Sequence, residues 1–265
     1  MMTYMTLQTV VSTVVVGLFG LIAGSFLNVV IYRIPRKESI VFPPSHCPQC
    51  QEPIKALDNI PVLSFALLGG KCRHCASPIS WQYPLIELAA SLLGIGLFIL
   101  YGPTVGFVSD YSLALILLAA AVIDARYMII PDRLNLSGGL IAAAFSLVYG
   151  LPGIARAAAG AVTGAVVLMG MYALGKILFK KDGVGFGDVK LAFVTGLFIG
   201  PFWCLSALTA AICLGGMWGV VHVVMGRKKF GIEVPFGPFI AAGGFLVLFF
   251  RAQILYLVEQ YLMML

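Results

Sequence analysis

The sequence contains few charged side chains. Asp, Glu, Lys and Arg make up only 11% of its 265 residues, whereas soluble domains carry about 25%. Hydrophobic residues make up 60%, and the mean hydropathy is +1.01. This composition excludes a soluble core of this size. Apolar stretches of about 20 residues, the length that crosses a bilayer core, recur along nearly the whole chain.

The amino terminus lacks the basic residues that open a secretory signal peptide. No Lys or Arg precedes Arg33, and the apolar run over 10–31 comes before that first positive charge. The run is too long for the apolar part of a signal peptide, and its charge lies on the wrong side. We therefore interpret it as a retained first transmembrane segment.

Hydropathy predicts an all-α polytopic membrane protein with about eight transmembrane helices. We expect these helices at roughly 10–32, 84–101, 111–128, 134–151, 156–179, 188–202, 203–225 and 236–250. The one sizeable insertion between them, 33–83, is rich in Pro, Cys and charge. The sequence thus predicts a first transmembrane helix at 1–32, a four-cysteine loop at 33–83 and a transmembrane core at 84–265.

Basic residues are nearly absent from one face of the predicted membrane segments. Of the 17 Lys and Arg residues, only Arg156 and Arg251 fall on that face, and the other 15 lie in loops or helix ends on the opposite one. The positive-inside rule makes the basic face cytoplasmic, with both termini outside. The net charge of +6 does not indicate nucleic-acid binding, because these residues lie in short loops between apolar runs.

Four cysteines in the 33–83 loop form two CxxC pairs. Cys47 and Cys50 make the first pair, and Cys72 and Cys75 the second, with 21 residues between the pairs. Two such knuckles offer four thiolates to a tetrahedral zinc ion and leave no open coordination position. The spacing therefore predicts a structural zinc site. Two disulfides are the alternative, which a reducing cytoplasm disfavours.

The 11 acidic residues divide by their position. Several of them, including Asp110, are expected in solvated loops or tails. Four others lie within or at the ends of apolar runs, where a carboxylate is costly and marks a functional site: Asp124, Glu87, Asp188 and Glu233. Arg126 is too near Asp124 in sequence to share its helical face, so a local ion pair does not explain that acid. Asp132 is expected to cap the next helix.

A glycine-rich segment precedes Asp188. Gly183, Gly185 and Gly187 alternate before it, and Lys190 follows it. A helix-capping aspartate is the competing interpretation, but it leaves the three glycines unexplained. A substrate strand lying against this backbone would need the room that glycines provide. We therefore assign the glycines and Lys190 to a substrate-binding loop.

The charge distribution places Asp124 and Asp188 at the same membrane face. Two adjacent carboxylates share one proton. The ionised one can take a proton from water, which attacks a scissile carbonyl, while the protonated one donates to the carbonyl oxygen. The two aspartates are therefore predicted to be catalytic residues of a peptidase.

These residues resemble those of the bacterial type IV prepilin peptidases, the bifunctional leader peptidases and N-methyltransferases of the GxGD aspartyl protease family. The resemblance extends from about 17 to 245. The motifs that carry it are 24–35 in the first span, 45–50 and 70–75 in the cysteine loop, Asp124 with Pro131 and Asp132, Gly-Phe-Gly-Asp-Val-Lys at 185–190, and Pro-Phe-Gly-Pro at 235–238.

The resemblance implies an activity and its partners. Members of this family cleave the short basic leader of prepilins and pseudopilins after a glycine, and then methylate the new N-terminal residue with S-adenosylmethionine. It implies an inner-membrane location, with active site and zinc loop on the cytoplasmic side, and service to pilus or type II secretion machinery. No motif locates the methyl-donor site. Glu87 and Asn28 are candidates, although an interhelical hydrogen bond explains Asn28 equally well.

Two other functions are compatible with membrane-embedded acids. A proton-coupled transporter would use them, but it predicts a repeat of interrupted spans and leaves the cysteine loop unexplained. A scaffold subunit of a secretion complex would have no need of an aspartate pair. Cleavage of a leader-bearing peptide distinguishes the peptidase from both.

Overall fold

The computed structural model describes residues 7–179, 184–226 and 234–263. Within these ranges the regular structure is helical, which confirms the predicted all-α membrane fold. The helices are α1 (Leu7–Arg33), α2 (Leu63–Leu67), α3 (Gln82–Tyr101), α4 (Val105–Tyr127), α5 (Asp132–Val148), α6 (Gly150–Phe179), α7 (Phe186–Ile199), α8 (Pro201–Val224) and α9 (Gly237–Met263), with one 3-10 turn at Ala56–Asn59.

Six of the described helices are long and apolar enough to cross a membrane: α1, α3, α4, α6, α8 and α9. The expectation of eight transmembrane helices is therefore not confirmed. The other two predicted spans correspond to α5, with 17 residues, and α7, with 14 residues. At 1.5 Å per residue α7 is about 21 Å long, shorter than a bilayer core of about 30 Å.

The chain forms two compact units, one up to Pro103 and one from Thr104 onward. In the first unit, α1 packs along α3. Glycines make this close approach possible, because a Cβ at Gly24 would lie 2.5 Å from the Cα of Glu87, and one at Gly20 would lie 2.6 Å from the Cα of Ser91. Small residues of this kind are how helices approach closely inside membranes.

The second unit is built around α7, which contacts α4, α5, α6, α8 and α9. Leu191, Ala192 and Thr195 of α7 are fully buried. Gly160 of α6 and Gly196 of α7 lie so close that a Cβ on either would overlap the backbone of the other. The short helix α7 is thus enclosed by its longer neighbours.

Two acidic residues lie in surroundings other than those expected from the sequence. Asp110 is not in a solvated loop, because it lies in the second turn of α4 and is only 5% exposed. Asp132 is not the N-cap of α5, because that helix begins at Asp132 itself, and its carboxylate instead accepts a hydrogen bond from Lys190. In both cases the partner comes from a distant part of the chain.

Helix α9 contains a break. Phe250 has non-helical angles (φ −120°, ψ 25°), so two helical segments meet there. The predicted last span ended at this residue. Arg251 follows it directly and forms a two-bond ion pair with Asp110, with Nη1–Oδ2 and Nη2–Oδ1 distances of 2.9 Å.

Candidate active site and metal centre

Asp124 lies in the last turns of α4 and is 5% exposed. Its Oδ2 accepts a hydrogen bond of 2.8 Å from the backbone N–H of Gly237, the first residue of α9. A Cβ at position 237 would lie 2.9 Å from that same oxygen. Glycine therefore lets the N-terminus of α9 meet the carboxylate, where the helix dipole favours negative charge.

Asp188 lies in the first turn of α7 and is 6% exposed. Its Oδ2 accepts a hydrogen bond of 3.0 Å from the N–H of Gly185, the residue that caps the helix. Its Oδ1 is buried and has no hydrogen-bond partner among the described residues. The capping interpretation thus accounts for one oxygen of this carboxylate and leaves the other available for chemistry.

The two aspartates belong to helices that contact each other, α4 and α7. Their carboxylates are near enough to repel each other electrostatically. Among the described residues no basic side chain forms an ion pair with either acid, and Arg126 is exposed. Two adjacent acids without a counter-charge are the arrangement in which one shared proton supplies both an acid and a base.

The predicted substrate-binding loop is partly described. Gly183 lies outside the described residues. Gly185 has extended backbone angles (φ −71°, ψ 149°), and a Cβ there would lie 3.2 Å from the Asp188 carboxylate. A Cβ at Gly187 would meet the backbone of Ile130 at 3.4 Å. In this structure the room at Gly187 is therefore filled by the segment that follows α4.

Lys190 links the starts of two helices. Its Nζ lies 2.5 Å from Oδ1 of Asp132 at the start of α5, and 5.2 Å from the ring centroid of Phe186. The two charged side chains are 38% and 76% exposed. An exposed pair of this kind contributes little stability. Its placement of α5 beside the Asp188 turn remains compatible with the predicted role in substrate binding.

The four predicted zinc ligands come together. The Sγ atoms of Cys47, Cys50, Cys72 and Cys75 all lie within 4.8 Å of one another, and the Cys47–Cys75 distance is 3.8 Å. Tetrahedral zinc with Zn–S bonds of about 2.3 Å holds its sulfurs about 3.8 Å apart. All four cysteines are free thiols, so the disulfide alternative is absent from this structure.

The two knuckles repeat each other 25 positions apart. The N–H of Gln51 donates to the carbonyl of Cys47, and the N–H of Ala76 donates to that of Cys72. Both donors have positive φ, 60° and 56°. The same pattern underlies the sequences Cys-x-x-Cys-x-x-Pro-Ile at 47–54 and 72–79. Each knuckle is therefore a tight turn that presents two sulfurs to one point.

The protein environment gives the thiols of Cys47 and Cys50 different pKa values. The backbone N–H of Cys50 directed at Cys47 lowers the pKa of the Cys47 thiol to about 6. The N–H of Glu52 lowers the pKa of Cys50, but partial desolvation and the neighbouring thiols together raise it to about 11. Four thiolates this close repel one another, so a cation is needed for all four to ionise together. The donor set fits zinc.

An ion pair stabilises the remainder of the loop. Arg73, between the second pair of cysteines, binds both carboxylate oxygens of Asp58, with a shortest distance of 2.6 Å. This guanidinium holds the pKa of the Asp58 carboxyl below its usual value. At the base of the loop, the Arg33 guanidinium donates to the carbonyls of Ser39 and Pro43 at 2.9 and 2.7 Å.

The two methyl-donor candidates make hydrogen bonds within the first unit. Glu87 accepts the N–H of Val62 at 2.7 Å. Asn28 donates to the carbonyl of Tyr83 at 3.0 Å and accepts from Gln82 at 3.2 Å, which are the interhelical bonds considered as its alternative. A hollow beside Asn28 has a volume of about 60 Å³, whereas pockets for ligands of this kind span about 300–1,000 Å³.

Comparison with known proteins assigns both units. Residues 18–101 match the bacterial peptidase A24 N-terminal domain, and residues 111–220 match the type IV leader peptidase family. The chain belongs to the type IV leader peptidase family. This membership confirms the resemblance found in the sequence, and with it a multi-pass membrane enzyme.

Relatives of this leader peptidase align over nearly their whole length. A protein from Aeromonas hydrophila is 35% identical over 260 residues, covering 88% of this chain and 89% of its own. One from Dichelobacter nodosus is 35% identical and covers 94% and 95%. One from Pseudomonas aeruginosa is 34% identical and covers 89% and 90%. All three are named prepilin leader peptidase/N-methyltransferase. No solved structure matches the chain.

Gly237 is a site residue that the sequence did not reveal as such. The Pro-Phe-Gly-Pro segment at 235–238 is one of the family motifs, but nothing local connects its Gly237 to Asp124, which lies 113 positions earlier. The sequence signal that indicates such a residue is a glycine at the start of an apolar helix, because the first backbone N–H groups of a helix have no acceptor within it.

Proposed function

We propose that this leader peptidase removes the short basic leader from type IV prepilins or pseudopilins and then methylates the new N-terminal residue. The observation that carries the proposal is a pair of buried aspartates, neither of which forms an ion pair within the described part of the chain, in a protein whose relatives are named for both activities. A transporter or a scaffold subunit is not favoured, because neither accounts for the leader peptidase match.

Cleavage proceeds through Asp124 and Asp188 as a pair that shares one proton. The ionised carboxylate takes a proton from water, whose oxygen attacks the scissile carbonyl carbon. The protonated carboxyl donates to the carbonyl oxygen, and the pair then returns a proton to the leaving amine. The N–H groups of Gly237 and Gly185 hold one oxygen of each carboxylate. The second oxygen of Asp188 has no hydrogen-bond partner among the described residues and can therefore take part in these proton transfers.

Substrate binding involves the segment around Asp188. We assign Gly183, Gly185, Gly187 and Lys190 to the backbone and side chains that meet the substrate near the scissile bond. The exposed position of Gly185 supports this assignment. The apolar helix that follows the cleavage site of a pilin-like substrate would lie in the bilayer, which presents the peptide bond at the membrane face.

The four-cysteine loop would hold one structural zinc ion through Cys47, Cys50, Cys72 and Cys75. Its four thiolates leave no open position, so the ion takes no part in cleavage. We propose that the loop at 33–83 forms one wall of the site for S-adenosylmethionine, which supplies the methyl group. A charged donor does not enter the hydrocarbon core, and this is the sizeable polar insertion of the chain. Glu87 and Asn28 remain the candidate donor-binding residues.

We further propose that the dyad and the cysteine loop face the cytoplasm in the inner membrane, as the 15 basic residues on that face indicate. The functional parts are then a first helix at 1–32, the zinc loop at 33–83 and a peptidase core at 84–265. The products would serve pilus assembly or type II secretion machinery.

Separate assays of cleavage and methylation test this assignment. We expect Asp188→Asn to abolish cleavage of a leader-bearing pilin peptide while retaining methylation of a pre-cleaved one. We expect Cys72→Ser to impair methylation more than cleavage. Equal loss of both activities in the cysteine variant, or loss of methylation in the aspartate variant, contradicts the division of roles.

Metal analysis tests the zinc site independently. Purified protein should contain about one zinc per chain, and Cys72→Ser should lose it. The matched control is Cys213→Ser, because Cys213 is a free thiol in α8 and outside the cysteine loop. A metal-free wild-type protein whose four loop thiols all react with an alkylating reagent would exclude the site.

A further inference from the structure

A cavity of about 480 Å³ lies in the second unit, at the end of the bundle away from the dyad. Asp110, which lines it, precedes Asp124 in α4 by 14 residues, or about 21 Å along the helix. The polar lining residues are Ser109, Asp110, Ser146, Tyr149, Arg156 and Arg251. The cavity therefore belongs neither to the catalytic pair nor to the cysteine loop.

The cavity contains both of the arginines that the charge distribution set apart. Arg251 binds both oxygens of Asp110 at 2.9 Å, so one positive and one negative charge offset each other. Arg156 is near enough to Asp110 to interact with it electrostatically. Among the described residues, however, it forms no ion pair. The polar lining thus carries one excess positive charge.

Arg156 is held in place by the end of α7. Its Nη2 lies 3.4 Å from the carbonyl oxygen of Ile199. A Cβ at Gly200 would lie 2.8 Å from its Nε, so the guanidinium stem lies directly over this glycine. The bond to Ile199 is long and uses one of the five N–H groups of a guanidinium. Most of its donors remain available to a ligand in the cavity.

The rest of the lining is apolar. The wall includes Ala142, Phe145, Leu197 and Phe198. Leu151, which precedes the lining residue Pro152, is 82% exposed. A guanidinium fork matches the geometry of phosphate oxygens. An apolar wall beside that fork suits a phosphate that is attached to an acyl-bearing molecule.

We propose that this cavity binds a phosphate oxyanion through Arg156, with the headgroup of an anionic phospholipid in the leaflet away from the dyad as its source. Arg251 and Asp110 form the fixed charged wall, and the hydroxyl of Tyr149 is a further donor. Free inorganic phosphate shares this chemistry and is the other source.

Photolabelling of the purified full-length protein tests the proposal. The probe is phosphatidylglycerol with a photoreactive acyl chain, and mass spectrometry locates the label. We expect labelling of α5 and α6 near the cavity in the wild type. Arg156→Gln should reduce it about tenfold, the effect of losing a charged hydrogen-bonding group. Lys176→Gln is the matched control, since it removes one positive charge from the other end of α6, and should leave this label unchanged.

A second variant covers the case in which Arg156→Gln does not fold. A Cβ at Gly106, on the cavity wall, meets no atom closer than 3.6 Å. Gly106→Leu therefore fills the cavity without removing charge, and it should also reduce labelling. Competition by inorganic phosphate indicates a site open to the free ion, and its absence indicates lipid alone. Equal labelling of the wild type and the cavity variants overturns the proposal. So does labelling by a phosphatidylcholine probe that equals labelling by phosphatidylglycerol and is unchanged in Arg156→Gln.

Discussion

The buried aspartates at the two ends of the second unit have different kinds of partner. At one end Asp110 is enclosed with Arg251, and both of its oxygens are bound by the guanidinium. At the other end Asp124 and Asp188 are just as buried, but their described hydrogen-bond partners are backbone N–H groups. An acid in an ion pair is held in its charged form, whereas an acid that has no basic partner among the described residues can exchange a proton. The partner, rather than burial, distinguishes these roles.

The energetic consequence is also opposite. Removal of one member of a buried ion pair leaves an uncompensated charge, which costs about 3–5 kcal/mol. Neutralisation of one member of a repelling pair removes a repulsion instead. The same chemical change, aspartate to asparagine, is therefore expected to affect stability at one end and activity at the other.

The largest expected effect is on cleavage. Asp124→Asn and Asp188→Asn should each reduce the cleavage rate by about a thousandfold or more, because the pair can no longer supply both acid and base. Asp110→Asn should retain cleavage within about threefold, measured per folded molecule, since it touches no reacting group. Comparable losses in all three variants would contradict the contrast between the two ends.

The next effect is on stability. Asp110→Ala or Arg251→Ala should lower the free energy of unfolding by about 3–5 kcal/mol, measured by denaturation in detergent. Asp188→Asn should leave stability unchanged or raise it, because the repulsion from Asp124 disappears. If Asp188→Asn destabilises the protein as much as Asp110→Ala does, its carboxylate is structural and the catalytic assignment fails.

A smaller effect is expected where α6 meets α7. Gly160→Ala should cost about 1–3 kcal/mol by overpacking, because the new Cβ overlaps the Gly196 backbone. Gly170→Ala is the control in the same helix: apart from the helix's own backbone, no atom of the described residues lies within 4 Å of its Cβ position, and alanine favours helix by up to about 1 kcal/mol. Thermal unfolding of the two variants should therefore shift in opposite directions.

The smallest effect concerns the ion pair on the exterior. Lys190→Ala should lower stability by less than about 1 kcal/mol, because the Lys190 and Asp132 side chains are 38% and 76% exposed and an ion pair in contact with solvent contributes little. A double-mutant cycle with Asp132→Ala measures the coupling directly. A coupling of several kcal/mol would show that exposure is a poor guide to the strength of ion pairs in this protein.

Much of the site was accessible from local sequence patterns. The CxxC spacing predicted the four sulfurs that converge, and the scarcity of acids in apolar runs singled out Asp124 and Asp188. The repeated Cys-x-x-Cys-x-x-Pro-Ile pattern at 47–54 and 72–79 also specifies the two similar turns. These features succeed because a few adjacent residues determine a tight turn or the depth of a charge.

The sequence by itself thus determined a helical membrane protein, its metal-ligand set and its two unusual acids, since composition and short spacings carry that information. Only the tertiary structure decided that Asp110 is buried against Arg251, 141 positions away, and that Gly237 binds Asp124. The length of α7 was also decided by the tertiary structure. Its sequence is as apolar as a transmembrane span, yet the helix has only 14 residues and is enclosed by other helices. Contacts between distant segments depend on how the helices pack, and no local sequence pattern specifies which distant residue a given side chain will contact.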